Sequence, residues 1–221
     1  MDSNLIELKI FDQTILLLPQ YAAFWVEKKA LFVADLHLGK ATAFQKMGIP
    51  LPEGALQADL HRLTHLIDRW KAKECMILGD LIHSKIGLTD RIIQEFALWL
   101  QQSPTQVSLI LGNHDRSLKR AFPSSWNLQI YPDSLTIEPF YFSHFPTHHD
   151  VFFVWAGHLH PQILLKEGPD KFIMRCFQIE PKLGILPAFS SIVGGAYVQP
   201  FSTSRIFPTT GDQIFELPSF S

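Results

Sequence analysis

An amide, an imidazole and a carboxylate follow one another at Asn113, His114 and Asp115, directly after Gly112. The preceding run, residues 107–111, is short and apolar, which predicts a buried strand. Side chains of these three types can hold a metal ion or transfer a proton, and ligands bind at the strand ends of open α/β sheets. Taken alone, the tetrapeptide is equally well explained as a polar turn. The residues that follow the other predicted strands must distinguish a functional site from such a turn.

Further predicted strands are followed by side chains that bind divalent metals. These side chains are Asp35, His37, Asp80, His144, His158 and His160. Imidazole suits Zn, Fe, Mn or Ni, and carboxylate suits harder ions. If the backbone of D-x-H and H-x-H stays extended, alternate side chains project the same way and both could face one ion. The Asp80 carboxylate could bridge two ions, and two ions about 3.5–4 Å apart can hold a phosphoryl group and lower the pKa of a shared water toward about 7.

Alternating helices and strands are expected to position these residues in the first half of the chain. Apolar residues recur at helical spacing within 52–72, with Pro52 and Glu53 in the expected first turn. A second helix is expected over 89–101. Strands over 30–34, 75–78 and 107–111 separate the helices, and such crossovers imply a parallel sheet. Three or four strands are expected before residue 33. From residue 126 strands dominate, over 128–131, 135–137, 140–142, 151–155 and 172–177 and near 192 and 214.

The composition is that of a globular chain. Its 221 residues are 47% hydrophobic and 18% charged, which argues against disorder. A net charge of -2 provides no overall basic field for nucleic acid, so such a contact requires a local patch. We recognise no signal peptide or membrane span, and the two cysteines, Cys75 and Cys176, match no zinc or redox motif. We therefore expect one domain over residues 1–221, a cytoplasmic location and no membrane partner.

The ordered series D-x-H, G-D, G-N-H-D, H and G-H-x-H, over about residues 30–160, resembles the calcineurin-like metallophosphoesterase superfamily. The resemblance implies an α/β fold in which two mixed β-sheets form a sandwich flanked by helices, a four-layer sandwich. It implies two metal ions that share one aspartate. The implied ligands are Asp35, His37, Asp80 and His160 for one ion and Asp80, Asn113, His144 and His158 for the other. His114 would stabilise the transition state or protonate the leaving oxygen, and Asp115 would orient that imidazole and raise its pKa.

Flanking residues resemble a narrower, ligase-associated subgroup of bacterial proteins. The matching stretches are residues 33–40, 48–50, 79–84 and 186–189, with Gly194 and Gly195. Those proteins are similar to phosphodiesterases or DNA endonucleases and are grouped with an ATP-dependent DNA ligase and a helicase. The resemblance implies a phosphodiesterase or nuclease of DNA repair, with a metal-bridging hydroxide as nucleophile and DNA ends as a candidate substrate.

Several alternatives remain open within and beyond that interpretation. Mn is the expected metal, and Fe or Zn is also compatible with the ligand types. A phosphomonoesterase or a cyclic-nucleotide phosphodiesterase would use the same residues. A metal-bearing scaffold of a repair complex, without catalysis, is the alternative of another class. An intact His114 and Asp115 argue against the scaffold, because a scaffold need not keep a proton donor.

Basic residues beside the ligand motifs are candidate phosphate contacts. Lys40 and Arg116 adjoin D-x-H and G-N-H-D, where a cation could meet phosphate oxygens. The cluster is extended by Lys119, Arg120 and Lys85. Such a patch would hold a short nucleotide or a DNA end but would not wrap a duplex.

Other histidines have simpler explanations. His61 and His65 are spaced as a zinc pair on a helix could be, but they lie opposite the apolar stripe and should meet solvent. His83 and Ser84 follow Asp80 closely, and a role in the substrate pocket is as well supported as a solvated loop.

Overall fold

The computed structural model describes residues 4–118, 122–198 and 203–218. The first of two β-sheets has seven strands, which are hydrogen-bonded in the order of the chain. They are β1 (Ile6–Ile10), β2 (Gln13–Leu18), β3 (Ala22–Trp25), β4 (Ala30–Val33), β5 (Glu74–Leu78), β6 (Gln106–Ile110) and β7 (Gln129–Tyr131). Pairing is antiparallel from β1 to β4 and parallel from β4 to β7. The parallel part expected from the crossovers is therefore confirmed.

The second sheet has eight strands in the order β14-β11-β12-β13-β10-β9-β8, with β15 paired to β12. They are β8 (Ser134–Ile137), β9 (Phe140–Ser143), β10 (Phe153–Ala156), β11 (Pro161–Glu167), β12 (Asp170–Glu180), β13 (Leu183–Ile185), β14 (Ala196–Tyr197) and β15 (Arg205–Thr209). Sequence patterns did not predict β11, β13, β14 or β15. The strands expected near 192 and 214 are wrong, because Ile192 lies in a turn and Ile214 forms only an isolated bridge with Thr209.

Within the part of the chain that the structure describes, four helices connect the strands of the first sheet. They are α1 (Lys40–Lys46), α2 (Ala55–Trp70), α3 (Asp90–Gln102) and α4 (Asn113–Leu118). The expectation that Pro52 and Glu53 form the first turn of α2 is wrong, because Gly54 precedes the helix at a φ of 85°, a left-handed conformation that interrupts the helical backbone. Within the described residues, no helix combines the length and apolar composition that a membrane crossing requires.

The two sheets pack face to face around a large aromatic core. Trp25 and Phe32 from the first sheet meet Phe142, Trp155 and Phe177 from the second. The outer face of the first sheet is covered by α2 and α3. The predicted α/β sandwich of two sheets flanked by helices is thus confirmed. Because β4, β5 and β6 are parallel, their carboxyl ends meet at one edge of the sandwich.

Candidate metal centre

The sequence-predicted ligands converge at that edge, from both sheets. Asp35 and His37 follow β4, Asp80 follows β5, and Asn113 opens α4 after β6; His144 follows β9, and His158 and His160 follow β10. Backbone hydrogen bonds hold these loops side by side, from the Asp35 N–H to the Gly79 carbonyl (3.1 Å) and from the Gly157 N–H to the His144 carbonyl (3.1 Å). The crossover connections and the pairing of the sheets therefore place distant residues in one cluster.

The first group of ligand atoms belongs to Asp35, His37 and His160. Asp35 is fully buried, and its Oδ1 lies 3.2 Å from His160 Nε2. Those two atoms and both ring nitrogens of His37 are buried without a hydrogen-bond partner. Buried polar atoms left unpaired cost free energy, and a cation among them would satisfy them together. The group therefore fits a divalent metal ion.

The second group contains Asp80, His144 and His158, with the Asn113 amide beside them. His144 Nδ1 lies 3.0 Å from the Leu78 carbonyl; a carbonyl only accepts, so Nδ1 carries the hydrogen and Nε2 presents a lone pair. That Nε2 faces Asn113 Oδ1 at 3.0 Å and His158 Nδ1 at 3.1 Å. Several electron-pair donors thus converge on one point, which is the arrangement that a cation requires.

Asp80 faces both groups. Its Oδ1 lies 3.5 Å from His144 Nε2, and its Oδ2 lies 3.8 Å from His37 Nε2. Burial raises the pKa of this carboxyl, and the neighbouring His144 opposes that shift. The structure therefore brings Asp80 to the position that the bridging role requires.

Burial also keeps two of the ring ligands neutral. It lowers the pKa of His37 to about 2, and it lowers the pKa of His158. For His160, burial again lowers the pKa, but the adjacent Asp35 carboxylate outweighs it, and the pKa is raised. Only a neutral imidazole binds a metal, so His37 is available as a ligand across the whole neutral range.

The ligand loops are not extended, contrary to the sequence expectation. Five of their residues have left-handed φ values: Asp35 (61°), His37 (48°), Asp80 (50°), His158 (71°) and His160 (46°). Such conformations cost about 1–3 kcal/mol each for residues other than glycine and concentrate at functional sites. His158 and His160 face different groups, so the expectation that an extended H-x-H faces one ion is wrong for this pair.

Two motif glycines allow ligands from different strands to approach one another. A β-carbon on Gly79 would lie 2.1 Å from His144 Nδ1, and one on Gly112 would lie 2.1 Å from Asp80 Oδ1. Neither position can hold a larger residue without displacing a ligand. The glycines of G-D and G-N-H-D are therefore required for close approach, and Gly79 also has a φ of 85°.

His114 lies at the rim of the cluster. Its Nδ1 lies 2.7 Å from the His83 carbonyl, so Nδ1 carries the hydrogen and Nε2 turns toward the centre, 3.8 Å from Asp80 Oδ2. The side chain is 37% exposed, and the His83 ring stacks against it at 5.3 Å between centroids. His83 thus lies at the site, and His37, His83 and His114 form a further group of potential ligands.

Asp115 does not have the role that the sequence predicted. Its carboxylate accepts hydrogen bonds from the backbone N–H groups of Leu81 (3.1 Å), Ile82 (2.9 Å) and Gly112 (3.0 Å). With both oxygens occupied in this way, the carboxylate does not hold the His114 ring; the His83 carbonyl does. Asp115 is therefore a positioning residue, which ties the backbone after Asp80 to the backbone before Asn113.

The basic residues differ in their availability. Lys40 is half-buried and lines the same small pocket as His37, and burial lowers its pKa. Arg116 is 45% exposed and pairs with Asp133 at 3.0 Å, so phosphate contact requires it to leave that partner. Lys85 is exposed, whereas the predicted patch members Lys119 and Arg120 lie outside the described residues.

The remaining residues that the sequence singled out also have definite places. His61 and His65 are exposed on α2, as predicted. Ser84 is half-buried. Gly195 packs against the His160 carbonyl, where a β-carbon would lie 1.9 Å from the oxygen.

Sequence reasoning missed Arg175. Its guanidinium donates to the carbonyls of Ala188 (3.0 Å), Ser191 (3.0 Å) and Val193 (2.8 Å). The next carbonyl, that of Gly194, accepts from His160 Nδ1 at 3.1 Å, which directs Nε2 toward Asp35. The one available signal was a lone arginine within the apolar run 172–177.

Comparison with known proteins identifies related chains. A family model described as calcineurin-like phosphoesterase matches residues 28–190. Among solved structures, the chain is similar to the crystal structure of Pseudomonas putida nuclease MPE, with 30% sequence identity and a TM-score of 0.85. The match covers 97% of this chain and 100% of that chain. A search of curated proteins finds no significant match.

Proposed function

The chain belongs to the calcineurin-like phosphoesterase family and is a metal-dependent phosphoesterase; we propose that it cleaves phosphodiesters of DNA with two divalent ions. One observation carries this proposal. Two groups of potential ligand atoms adjoin the Asp80 carboxylate, and His114 Nε2 faces that carboxylate from the rim. In the first group, the ligand atoms of Asp35, His37 and His160 are buried without a hydrogen-bond partner. A shared carboxylate between two sets of donors is how a two-metal site is built.

The residues have separate tasks in this reaction. Two ions held by the two groups would neutralise charge that develops on the phosphoryl group and provide a water acidic enough to lose a proton near pH 7. His114, when protonated at Nε2, can give that proton to the leaving oxygen. The His83 carbonyl keeps the ring in this orientation, and the Lys40 ammonium, in the pocket it shares with His37, can balance the charge of a phosphate.

The choice of DNA phosphodiesters over other phosphoesters is supported by the name of the similar protein. The structural relative is named a nuclease, and it matches almost the entire chain. The ligase-associated sequence resemblance extends over residues 33–40, 48–50, 79–84 and 186–189, with Gly194 and Gly195. It adds a role in DNA repair, with a DNA ligase and a helicase as partners. Manganese as the metal and the cytoplasm as the location belong to the same proposal, and the buried free thiols of Cys75 and Cys176 suit a reducing compartment.

The proposal is tested by comparing a diester with a monoester. Metal-stripped protein is supplied with Mn, and hydrolysis of bis-p-nitrophenyl phosphate is measured beside that of p-nitrophenyl phosphate. We expect faster cleavage of the diester. His114→Ala is expected to reduce diester turnover by about 10²–10⁴-fold, the usual contribution of a general acid. His61→Ala, an exposed histidine on α2, is the matched control and should match the parent.

Other outcomes lead to different conclusions. Cleavage of the monoester alone would replace the proposal with a phosphomonoesterase and remove the support for DNA. Absence of any hydrolysis by protein that binds both metals would favour the non-catalytic scaffold. Full diester activity in His114→Ala would exclude the assigned role of its Nε2.

A further inference from the structure

The hairpin that β11 and β12 form carries several exposed side chains on one of its faces. Paired residues of antiparallel strands share a face, and here Leu164 pairs with Ile173 and Lys166 with Lys171. Tyr197 of β14 is the partner of Gln162 and shares that face. We call the side chains of Leu164, Lys166, Lys171, Ile173 and Tyr197 the hairpin face.

The hairpin face belongs to the inner face of the second sheet, which is the face that packs against the first sheet. It lies past the point where the first sheet covers that face. Alternation along β12 places Ile173 and Arg175 on the same face as Phe177, which lies in the core between the sheets. Arg175 still packs over the ring of Tyr21, at 4.9 Å, in the turn after β2. Beyond it the face is open: Ile173 is 57% exposed and Tyr197 is 58% exposed.

The charge on this face is of one sign. Lys166 and Lys171 are exposed and directly opposite each other in the register. Like charges in directly opposed pairs are unfavourable, and a polyanion between them would relieve the repulsion. Asp170, which precedes Lys171 in β12, alternates to the opposite face. The face therefore combines an exposed aromatic ring, aliphatic side chains and two cations.

The hairpin face is continuous with the metal centre. β11 begins at Pro161, immediately after His160, and Tyr197 follows Gly195, whose backbone lies against the His160 carbonyl. At about 3.3 Å per residue, Lys166 lies about 20 Å from His160. This is the length of about six nucleotides of a B-form strand at about 3.4 Å each.

We infer that the hairpin face binds the part of a DNA strand that extends beyond the cleaved phosphodiester. A nucleobase stacks on Tyr197, and the phosphates that follow it contact Lys166 and Lys171. This inference rests on the proposed function, because the strand is defined by its cleavage at the metal centre. Charge complementarity selects the occupant: a second copy of the chain would bring its own cationic face, whereas a polynucleotide brings phosphates.

The test compares a substrate that reaches the hairpin face with one that does not. The substrates are an oligodeoxynucleotide of about 20 nucleotides, longer than the six-nucleotide span, and bis-p-nitrophenyl phosphate. The oligodeoxynucleotide is used as a single strand and as a duplex, with Mn-loaded full-length protein. Tyr197→Ser should raise the KM for DNA about tenfold relative to the KM for the small diester, since one stacked base accounts for such a factor. Tyr197→Phe keeps a stacking ring and should restore the parent ratio.

The two lysines are tested by salt dependence. Lys166→Gln with Lys171→Gln should reduce the slope of log K for DNA against log salt by about 1.4–1.8, the value for two phosphate contacts. The matched control, Lys28→Gln with Lys73→Gln, removes the same amount of charge. These lysines precede β4 and β5 and therefore lie at the ends of those strands that are far from the metal centre. It should leave the slope at the parent value.

The outcomes separate this inference from the proposed function. A parent that cleaves both substrates, combined with unchanged DNA KM and salt slope in the hairpin-face variants, would overturn the inference alone. A parent that cleaves no diester would overturn the proposed function and the inference with it. Loss of a dimer in Tyr197→Ser by analytical ultracentrifugation, without a change in DNA KM, would assign the face to a second copy of the chain and refute its assignment to DNA.

Discussion

Replacing Asp115 by asparagine tests whether this buried carboxylate positions the backbone or serves His114. Oδ2 accepts from the Leu81 and Gly112 N–H groups, and Oδ1 accepts from the Ile82 N–H. An asparagine oxygen placed at Oδ2 keeps two of these bonds, and its NH₂ group then faces the Ile82 N–H. One buried donor left unpaired costs about 1–3 kcal/mol, and two charge-assisted bonds made neutral cost about 1 kcal/mol each. We therefore expect Asp115→Asn to lower the free energy of unfolding by about 3–5 kcal/mol.

Urea unfolding of the metal-free protein measures this change without a contribution from bound metal. Asp133→Asn is the matched control, because that carboxylate is 77% exposed and pairs with Arg116 at the surface; it should change the free energy of unfolding by less than about 1 kcal/mol. An Asp115→Asn variant with parental stability, parental metal affinity and a displaced pH profile of turnover would refute the positioning role. That result would instead support the sequence-based expectation that the carboxylate acts on the imidazole.

Three further predictions follow from the site and the core. Gly112→Ala places a β-carbon 2.1 Å from Asp80 Oδ1, so the Mn affinity measured by titration should fall about 10–100-fold; an unchanged affinity would contradict the required close approach. Because burial lowers the pKa of His37 to about 2, below its unfolded value, the unfolded chain binds the extra proton below about pH 6.5, and metal-free protein should lose up to about 1.4 kcal/mol per pH unit there. The free energy of unfolding of His37→Asn, measured with urea, should decline less steeply as the pH falls. A decline identical to that of the parent would contradict the assigned contribution of His37. Burial raises the pKa of Cys75 and Cys176 to about 12, so neither thiol should react with a disulfide reagent until urea unfolds the protein; rapid reaction of the native protein would contradict this.

Local patterns predicted the elements that carry one clear periodicity. The buried runs that became β4, β5 and β6 and the stripe of α2 were recognised because apolar spacing alone determines them. The start of α2 was misplaced because Gly54 interrupts the helix, and a positive φ is not visible in a hydrophobic pattern. β11 was missed because apolar residues lie on both of its faces. Those on the outer face are packed, whereas Leu164 on the other face is 37% exposed, so apolar and polar residues do not alternate as expected.

The candidate site was predictable in its residues but not in its geometry. The identities of Asp35, Asp80 and the later histidines are present in the motifs, and their order along the chain carries the family resemblance. Their backbone conformation was not predictable, because left-handed φ values at non-glycine residues are imposed by the packing of two sheets. The task of Asp115 likewise depends on which N–H groups remain unpaired after folding, and Arg175 acts on a loop that sequence proximity does not connect to it.

The most direct measurement is the number and coupling of bound metal ions. Equilibrium dialysis of metal-stripped protein against Mn, followed by electron paramagnetic resonance, counts the ions and reports whether they are adjacent. Two ions that share Asp80 would lie about 3.5–4 Å apart, so we predict two Mn per chain with a spin-coupled signal. His160→Ala should leave one ion with an uncoupled signal. A single uncoupled ion in the parent protein, or two ions without coupling, would contradict the two-metal centre.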